Sequence, residues 1–209
     1  MRRFFVLASV GLAVSFAVST GASPTTIGTF FDAAATDCDT AVAPFSTFNV
    51  YVSAVLGTDA GASGITSAAF RVDGLAGIVS SVTPNPAAPW VFGNPTSQGC
   101  YIAFPSCITG SGSRNTVPLY TITCSVGETV SPRTVTVSYV IDVFGDPPWL
   151  PYVGLCDQNY TRLYVSGGHA FINSGSCTVG VQPTTWSKVK SMFTANTVLQ
   201  PPAPRGGRR

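Results

Sequence analysis

Apolar and polar residues alternate with period two along most of this 209-residue chain, and glycine or proline interrupts the alternation every few residues. Between Phe45 and Leu56, Phe48, Val50, Val52 and Ala54 fall on one side and Asn49, Tyr51 and Ser53 on the other, as in a half-buried strand. Similar runs cover Thr26 to Asp32, Ile65 to Val72, Ala76 to Thr83, Cys100 to Phe104, Val117 to Val126, Thr134 to Asp142, Tyr160 to Val165, His169 to Ile172 and Cys177 to Val181. Asp73-Gly74 reads as a turn, and Ser166-Gly167-Gly168 as the turn of a hairpin. The stretches 84–89 and 146–151 hold three prolines each and read as loops, because proline cannot donate to a ladder. The period lengthens once. Trp186, Val189 and Phe193 follow helical spacing behind Thr184 or Thr185 as N-cap, which predicts one short helix over about Thr185 to Phe193. The expected fold is all-β: an antiparallel β-sandwich, jelly-roll or immunoglobulin-like, with one short C-terminal helix.

Charge narrows the class further. Only 10% of residues are charged, where a soluble domain averages about 25%. With Glu128 as its one glutamate the chain cannot build a coiled coil, and 45% apolar content excludes a disordered polyelectrolyte. Arg2 and Arg3 precede the apolar run Phe4 to Val18 and the small residues Ser19 to Ser23, the order of an export signal. Cleavage is expected after Ala22, with Thr20 and Ala22 as the small residues at the site. The division expected is a signal peptide at 1–22, a disulfide-stapled sandwich at 23–183, a helix and extension at 184–199 and a disordered basic tail at 200–209. No integral membrane span is expected once the signal is removed. Within the body, Arg71, Arg114, Arg133 and Arg162 stand against all 9 acidic groups, so no basic face for nucleic acid is expected.

Six cysteines, Cys38, Cys100, Cys107, Cys124, Cys156 and Cys177, form an even set, which an exported chain uses for disulfides. Cys38–Cys124, Cys100–Cys107 and Cys156–Cys177 is the pairing favoured among about 15 connectivities. No pair shows C-x-x-C spacing and His169 is the one histidine, so zinc and haem sites lack ligands.

Candidate sites are few. Asp32, Asp37 and Asp39 cluster around Cys38, and hard oxygen donors on a loop suit Ca²⁺, the one cofactor considered; the bland reading is a solvated acidic loop. Trp90, Trp149 and Tyr152 stand beside the Pro-rich stretches, where rings either plug the ends of the sandwich or offer a stacking platform to a glycan or protein. His169 with Ser166 and Asp157 is the nearest approach to a hydrolytic triad, but no G-x-S-x-G elbow surrounds any serine, so no catalytic residue is assigned.

Two resemblances follow. The stretches Ile27-Gly28-Thr29-Phe30-Phe31-Asp32, Gly64 to Val72, Gly99 to Cys107 and the closing Thr185-Trp186-Ser187-Lys188-Val189-Lys190 resemble uncharacterised exported bacterial proteins that end in a Thr-Trp-x-x-Val-Lys motif. The succession Phe48–Leu56, Gly64 to Phe70, Pro118 to Thr123 and Thr134–Ile141 is similar to cohesin-like jelly-roll modules. That second resemblance implies binding of partner proteins or sugars without chemistry. The chain is therefore expected to be a secreted, periplasmic or cell-surface module, binding or structural and not an enzyme, whose partner is a protein or glycan at the envelope. The rival readings are a small secreted hydrolase and a protease inhibitor presenting the Pro-rich loop around Trp149.

Overall fold

The computed structural model describes residues 23–129, 131–140 and 150–174. The expected signal segment, Trp149 and its loop, the last strand, the C-terminal helix, the Thr-Trp motif and the basic tail lie outside these residues.

Within them the chain forms β1 (Thr26–Phe30), β2 (Asp39–Thr40), β3 (Thr47–Val55), a 3-10 turn (Thr58–Ser63), β4 (Ile65–Asp73), β5 (Val79–Pro84), β6 (Trp90–Asn94), β7 (Gly99–Ile108), β8 (Thr116–Ser125), β9 (Arg133–Ser138), β10 (Tyr152–Leu155), β11 (Arg162–Tyr164), β12 (Ser166–Gly167) and β13 (His169–Ile172). One sheet runs β12-β1-β3-β8-β5. The other runs β11-β10-β4-β9-β13-β2 and extends through β7, which pairs with β4, to β6. The two form a sandwich, as the alternation requires. Val50, Val52 and Ala54 of β3 and Ile122 and Cys124 of β8 meet Ala68, Phe70 and Val72 of β4 and Ile102 of β7 in one core. Phe70, Ile102, Leu119 and Ile122 have no exposed surface, and burying each such side chain contributes about 1.5–3 kcal/mol.

Three features depart from the sequence reading. First, Ser166-Gly167-Gly168 is not a hairpin. Ser166 and Gly167 pair in parallel with Thr26 and Ile27 of the first sheet, and His169–Ile172 then pairs antiparallel with β9 in the second. Gly168 stands where the chain changes sheets: its N–H donates to Ile27 O (2.8 Å) and its carbonyl accepts from Val137 N–H (3.1 Å). Glycine is required here, since a Cβ on Gly167 would lie 1.9 Å from the Val137 carbonyl oxygen. A second parallel contact, β13 with β2, also interrupts the antiparallel pattern.

Second, the cysteine pairing differs. Cys107 bonds Cys156, with Cα atoms 5.6 Å apart, while Cys100 and Cys124 are buried thiols. Cys100 is a free buried thiol and Cys107 is taken by Cys156, which excludes Cys100–Cys107. The free Cys124 excludes Cys38–Cys124, and the Cys107 bond excludes Cys156–Cys177; Cys38 is itself disulfide-bonded. Third, the alternation expected through Thr134 to Asp142 changes phase after β9: Val135 and Val137 are buried, but Tyr139 is exposed and Val140 is buried.

Candidate binding face

The second sheet has an outer side that the sequence reading did not assemble. On β4, Ala68, Phe70 and Val72 face the core, so Ser67, Ala69, Arg71 and Asp73 point away from it. Ala69 pairs with Tyr152 of β10 on one flank and with Tyr101 of β7 on the other. Tyr152 pairs in turn with Tyr164 of β11, and Tyr101 with Phe92 of β6. Register therefore lines up Tyr164, Tyr152, Ala69, Tyr101 and Phe92 across five neighbouring strands. Adjacent rings interact: Tyr152 and Tyr164 meet edge-to-face at 6.1 Å, and Phe92 and Tyr101 are tilted at 6.3 Å. The neighbouring row is Arg162, Gly154, Ser67, Ala103 and Trp90. Small residues thus form the middle of the face and aromatic rings both sides of it.

Tyr152, Ala69 and Val140, with Tyr101 packed against them, make a small apolar cluster separate from the main core. Around it the rings open to solvent: Trp90 is 51% exposed, Phe92 47%, Tyr139 46% and Tyr164 55%. Two arginines are held by rings rather than by acids alone. The Arg162 guanidinium lies 5.2 Å from the centre of Tyr152, and that of Arg71 lies 4.9 Å from the centre of Tyr139. Arg71 also pairs with Asp73 at 2.9 Å and donates from Nε to Ser138 Oγ at 3.2 Å, while Ser138 donates to the same Asp73 oxygen. Burial pushes the Tyr152 hydroxyl pKa up, opposed in part by Arg162, so that ring stays neutral and apolar at ordinary pH.

The sequence-derived candidates fall in different places. Trp90 belongs to this face, on a strand rather than in a loop, and about half of its surface is exposed. Tyr152 opens β10 and is only 4% exposed, so it is a floor of the face and not a loop-borne ring. Trp149 lies outside the described residues. Asp32, Asp37 and Asp39 do not form a calcium cradle: among the described residues no three metal-ligating side chains converge. Asp32 instead caps its own turn, accepting N–H bonds from Thr36 and Asp37 and the Thr36 hydroxyl, each at 2.7 Å. Burial alone would raise its carboxyl pKa; those bonds outweigh it and hold the value below the ordinary one. His169 sits exposed on β13 with Nδ1 3.0 Å from the Thr136 hydroxyl directly across the strand pair. The Asp157 carboxylate accepts Thr161 N–H (2.7 Å) within its own turn, and no hydrogen bond joins Ser166, His169 and Asp157 among the described residues. The geometry assembles no triad.

Buried thiols supply no nucleophile either. Burial pushes the Cys100 pKa up to about 12 and that of Cys124 up to about 11, so both remain protonated at neutral pH.

No family model and no curated protein matches the chain. Among solved structures it is similar to cohesin modules. One is the sixth cohesin of scaffoldin B from Acetivibrio cellulolyticus, solved in complex with a Cel5 dockerin mutant, at 13% identity over 72% of this chain and 99% of that one, with a TM-score of 0.45. Another is a cohesin module of a family 33 glycoside hydrolase from Clostridium perfringens, at 11% identity over 71% and 93% of the two chains, with a TM-score of 0.46.

Proposed function

We propose that this chain is an exported, non-catalytic module that binds a protein partner on the outer face of its second sheet, at the cell envelope or beyond it. The observation that carries the reading is the in-register row Tyr164–Tyr152–Ala69–Tyr101–Phe92, with exposed Trp90 beside it. Exposed apolar surface on a scaffold of low charge is costly in solubility unless something covers it. Trp, Tyr and Arg are also the residue types that dominate protein–protein hot spots. A rigid sheet presents them in fixed positions, so little side-chain freedom is lost on docking.

A protein suits this face better than a glycan. Sugar hydroxyls call for amide or carboxylate partners beside the stacking rings. The two rows contain no Asn, Gln, Asp or Glu, and neighbouring Asp73 is already engaged by Arg71 and Ser138. Export rests on the basic, apolar and small-residue order of residues 1–22.

The test uses the processed chain, with Phe92 replaced by a photo-crosslinking phenylalanine, exposed to envelope and extracellular fractions. A protein crosslinked there should be lost at least tenfold in the double variant Trp90→Ala, Tyr164→Ala and retained by Thr121→Ala, Thr123→Ala on the opposite face. Equal retention by both variants, or binding confined to glycans on an array, sinks the reading. Retention of the whole chain in the cytosol would overturn the export step, and secreted material beginning at Met1 would overturn cleavage after Ala22.

A further inference from the structure

Seven asparagines stand in the chain, and Asn159 alone begins an Asn-x-Ser/Thr triplet free of proline, Asn159-Tyr160-Thr161; in Asn94-Pro95-Thr96 the proline disqualifies the match. The triplet falls in the turn between β10 and β11. Gln158, Asn159, Tyr160 and Thr161 are all exposed there. Behind them the turn is fixed. Leu155 N–H donates to Thr161 O at 2.9 Å, Cys156 N–H donates to Gly64 O at 3.3 Å, and the Cys107–Cys156 disulfide ties the base of the turn to the end of β7.

Every other described asparagine has a structural task. Asn115 and Asn173 occupy left-handed backbone, φ 52° and 54°, which asparagine tolerates better than most residues. Asn85 and Asn94 accept the N–H two residues on, from Ala87 and Thr96, each at 2.9 Å. Asn49 accepts the Thr123 hydroxyl across the sheet at 3.0 Å. In the β10–β11 turn those tasks fall to neighbours. Asp157 is the cap: its carboxylate accepts Thr161 N–H at 2.7 Å and its carbonyl accepts Tyr160 N–H at 3.2 Å. Tyr160 takes the left-handed position, φ 50°. The Asn159 side chain makes no hydrogen bond among the described residues, so its amide stands in solvent with no part in holding the turn.

We propose that Asn159 is a glycan acceptor, recognised through its Asn-x-Thr triplet and modified on the side-chain amide as the chain is exported. The donor class is an oligosaccharide on a lipid pyrophosphate, used by a membrane transferase. The bond from Nδ2 to the sugar C1 forms and the bond from C1 to the pyrophosphate oxygen breaks; the lipid pyrophosphate leaves with that electron pair, and Nδ2 releases one proton. The sugar lies beyond Gly154 and Arg162, the last pair of β10 and β11, so it borders the aromatic face without entering its rows. It also adds hydroxyls to a surface poor in charge. The proposal rests on the export reading, since donor and transferase act outside the cytosol.

The test uses the chain purified from the medium or envelope of its own host, reduced, alkylated and cut with trypsin. Peptide 134–162 contains Asn159 and no other asparagine. Electron-transfer tandem mass spectrometry should place a hexose- or N-acetylhexosamine-containing mass on Asn159. Asn159→Gln and Thr161→Ala, exported from the same host with the near-ultraviolet circular dichroism of the parent, should lose that mass completely, and Thr161→Ser should keep it. Unmodified Asn159 in exported material beginning at Ser23, a sugar on the Thr161 hydroxyl instead, or an unchanged mass on Asn159 in Thr161→Ala overturns the proposal and leaves the export reading standing. Retention of the whole chain in the cytosol overturns both.

Discussion

The outer sides of the two sheets solve the same problem in opposite ways. On the first sheet, Thr47, Asn49 and Tyr51 of β3 pair with Ser125, Thr123 and Thr121 of β8, and Thr123 and Thr121 pair onward with Ser81 and Thr83 of β5. That side is covered mainly by short hydroxyl side chains, tied together by bonds such as Thr123 Oγ1 to Asn49 Oδ1 at 3.0 Å and Ser80 Oγ to Ser125 Oγ at 2.7 Å. Hydroxyls keep an uncharged sheet wet without Lys or Glu, which suits a chain with 10% charged residues. The second sheet gives up that wetting and displays rings. Low charge therefore does not by itself explain the aromatic face, because the same chain covers an equal need elsewhere with Ser and Thr. On the proposed function, the difference separates a solvent-facing side from the side that a partner covers.

The largest expected effect lies where both sheets are joined. Gly167→Val places a branched side chain against the Val137 carbonyl, 1.9 Å from the position of its first carbon, so the seam must open. A loss on the order of 4 kcal/mol is expected in urea unfolding, the size reserved for broken cores and strained backbones. Gly112→Val makes the control: its φ is positive, 72°, but nothing lies within 4 Å of its Cβ, so it adds only a backbone strain of about 1–2 kcal/mol and no clash. Equal losses in the two variants would mean that the sheets do not depend on this seam.

Within the aromatic face, burial should split two tyrosines that sit side by side. Tyr152 is 4% exposed and Tyr164 55%. Tyr152→Ala removes the ring that packs on Ala69 and Val140 and should cost about 3 kcal/mol. Tyr164→Ala should cost less than about 1 kcal/mol and act on partner capture instead. If the exposed tyrosine proved as costly as the buried one, the row would be a second core and not a binding surface.

The sequence made the buried halves of the sandwich readable and left the face unread. β3 and β4 were legible because each presents apolar residues to the core at every second position, and β8 does the same on either side of one register shift. β6 was not, because its large residues Trp90 and Phe92 point outward and only Val91 packs against the core, so it looked like the tail of a Pro-rich loop. β10 suffered the same fate, standing directly after Pro151 with Tyr152 on the outer side. The aromatic row depends on registers that bring residues 69, 92, 101, 152 and 164 to one line, and no local pattern encodes such pairings. Disulfide partners failed for the same reason: parity predicted bridges, but only register places Cys107 beside Cys156. Trp90 was found by its residue type alone, which carried chemistry without position.

The smallest effect concerns the crossover that carries the chain from the first sheet to the second. After β1, the turn capped by Asp32 delivers the chain to β2, which pairs with β13 in the other sheet. Because hydrogen bonds hold the folded pKa of Asp32 below its unfolded value of about 3.9, the carboxylate stabilises the fold above that value. The contribution fades as pH falls through the depressed folded value, where the unfolded chain has already taken up its proton. Asp32→Asn keeps one acceptor for the turn and removes the titration. The wild-type chain should therefore lose urea stability more steeply than the variant between pH 5 and pH 2.5, by a few tenths of a kcal/mol at this partly exposed site. Indistinguishable slopes would show that the crossover is held by backbone bonds such as Phe31 N–H to Asp37 O, 2.7 Å, without help from the charge.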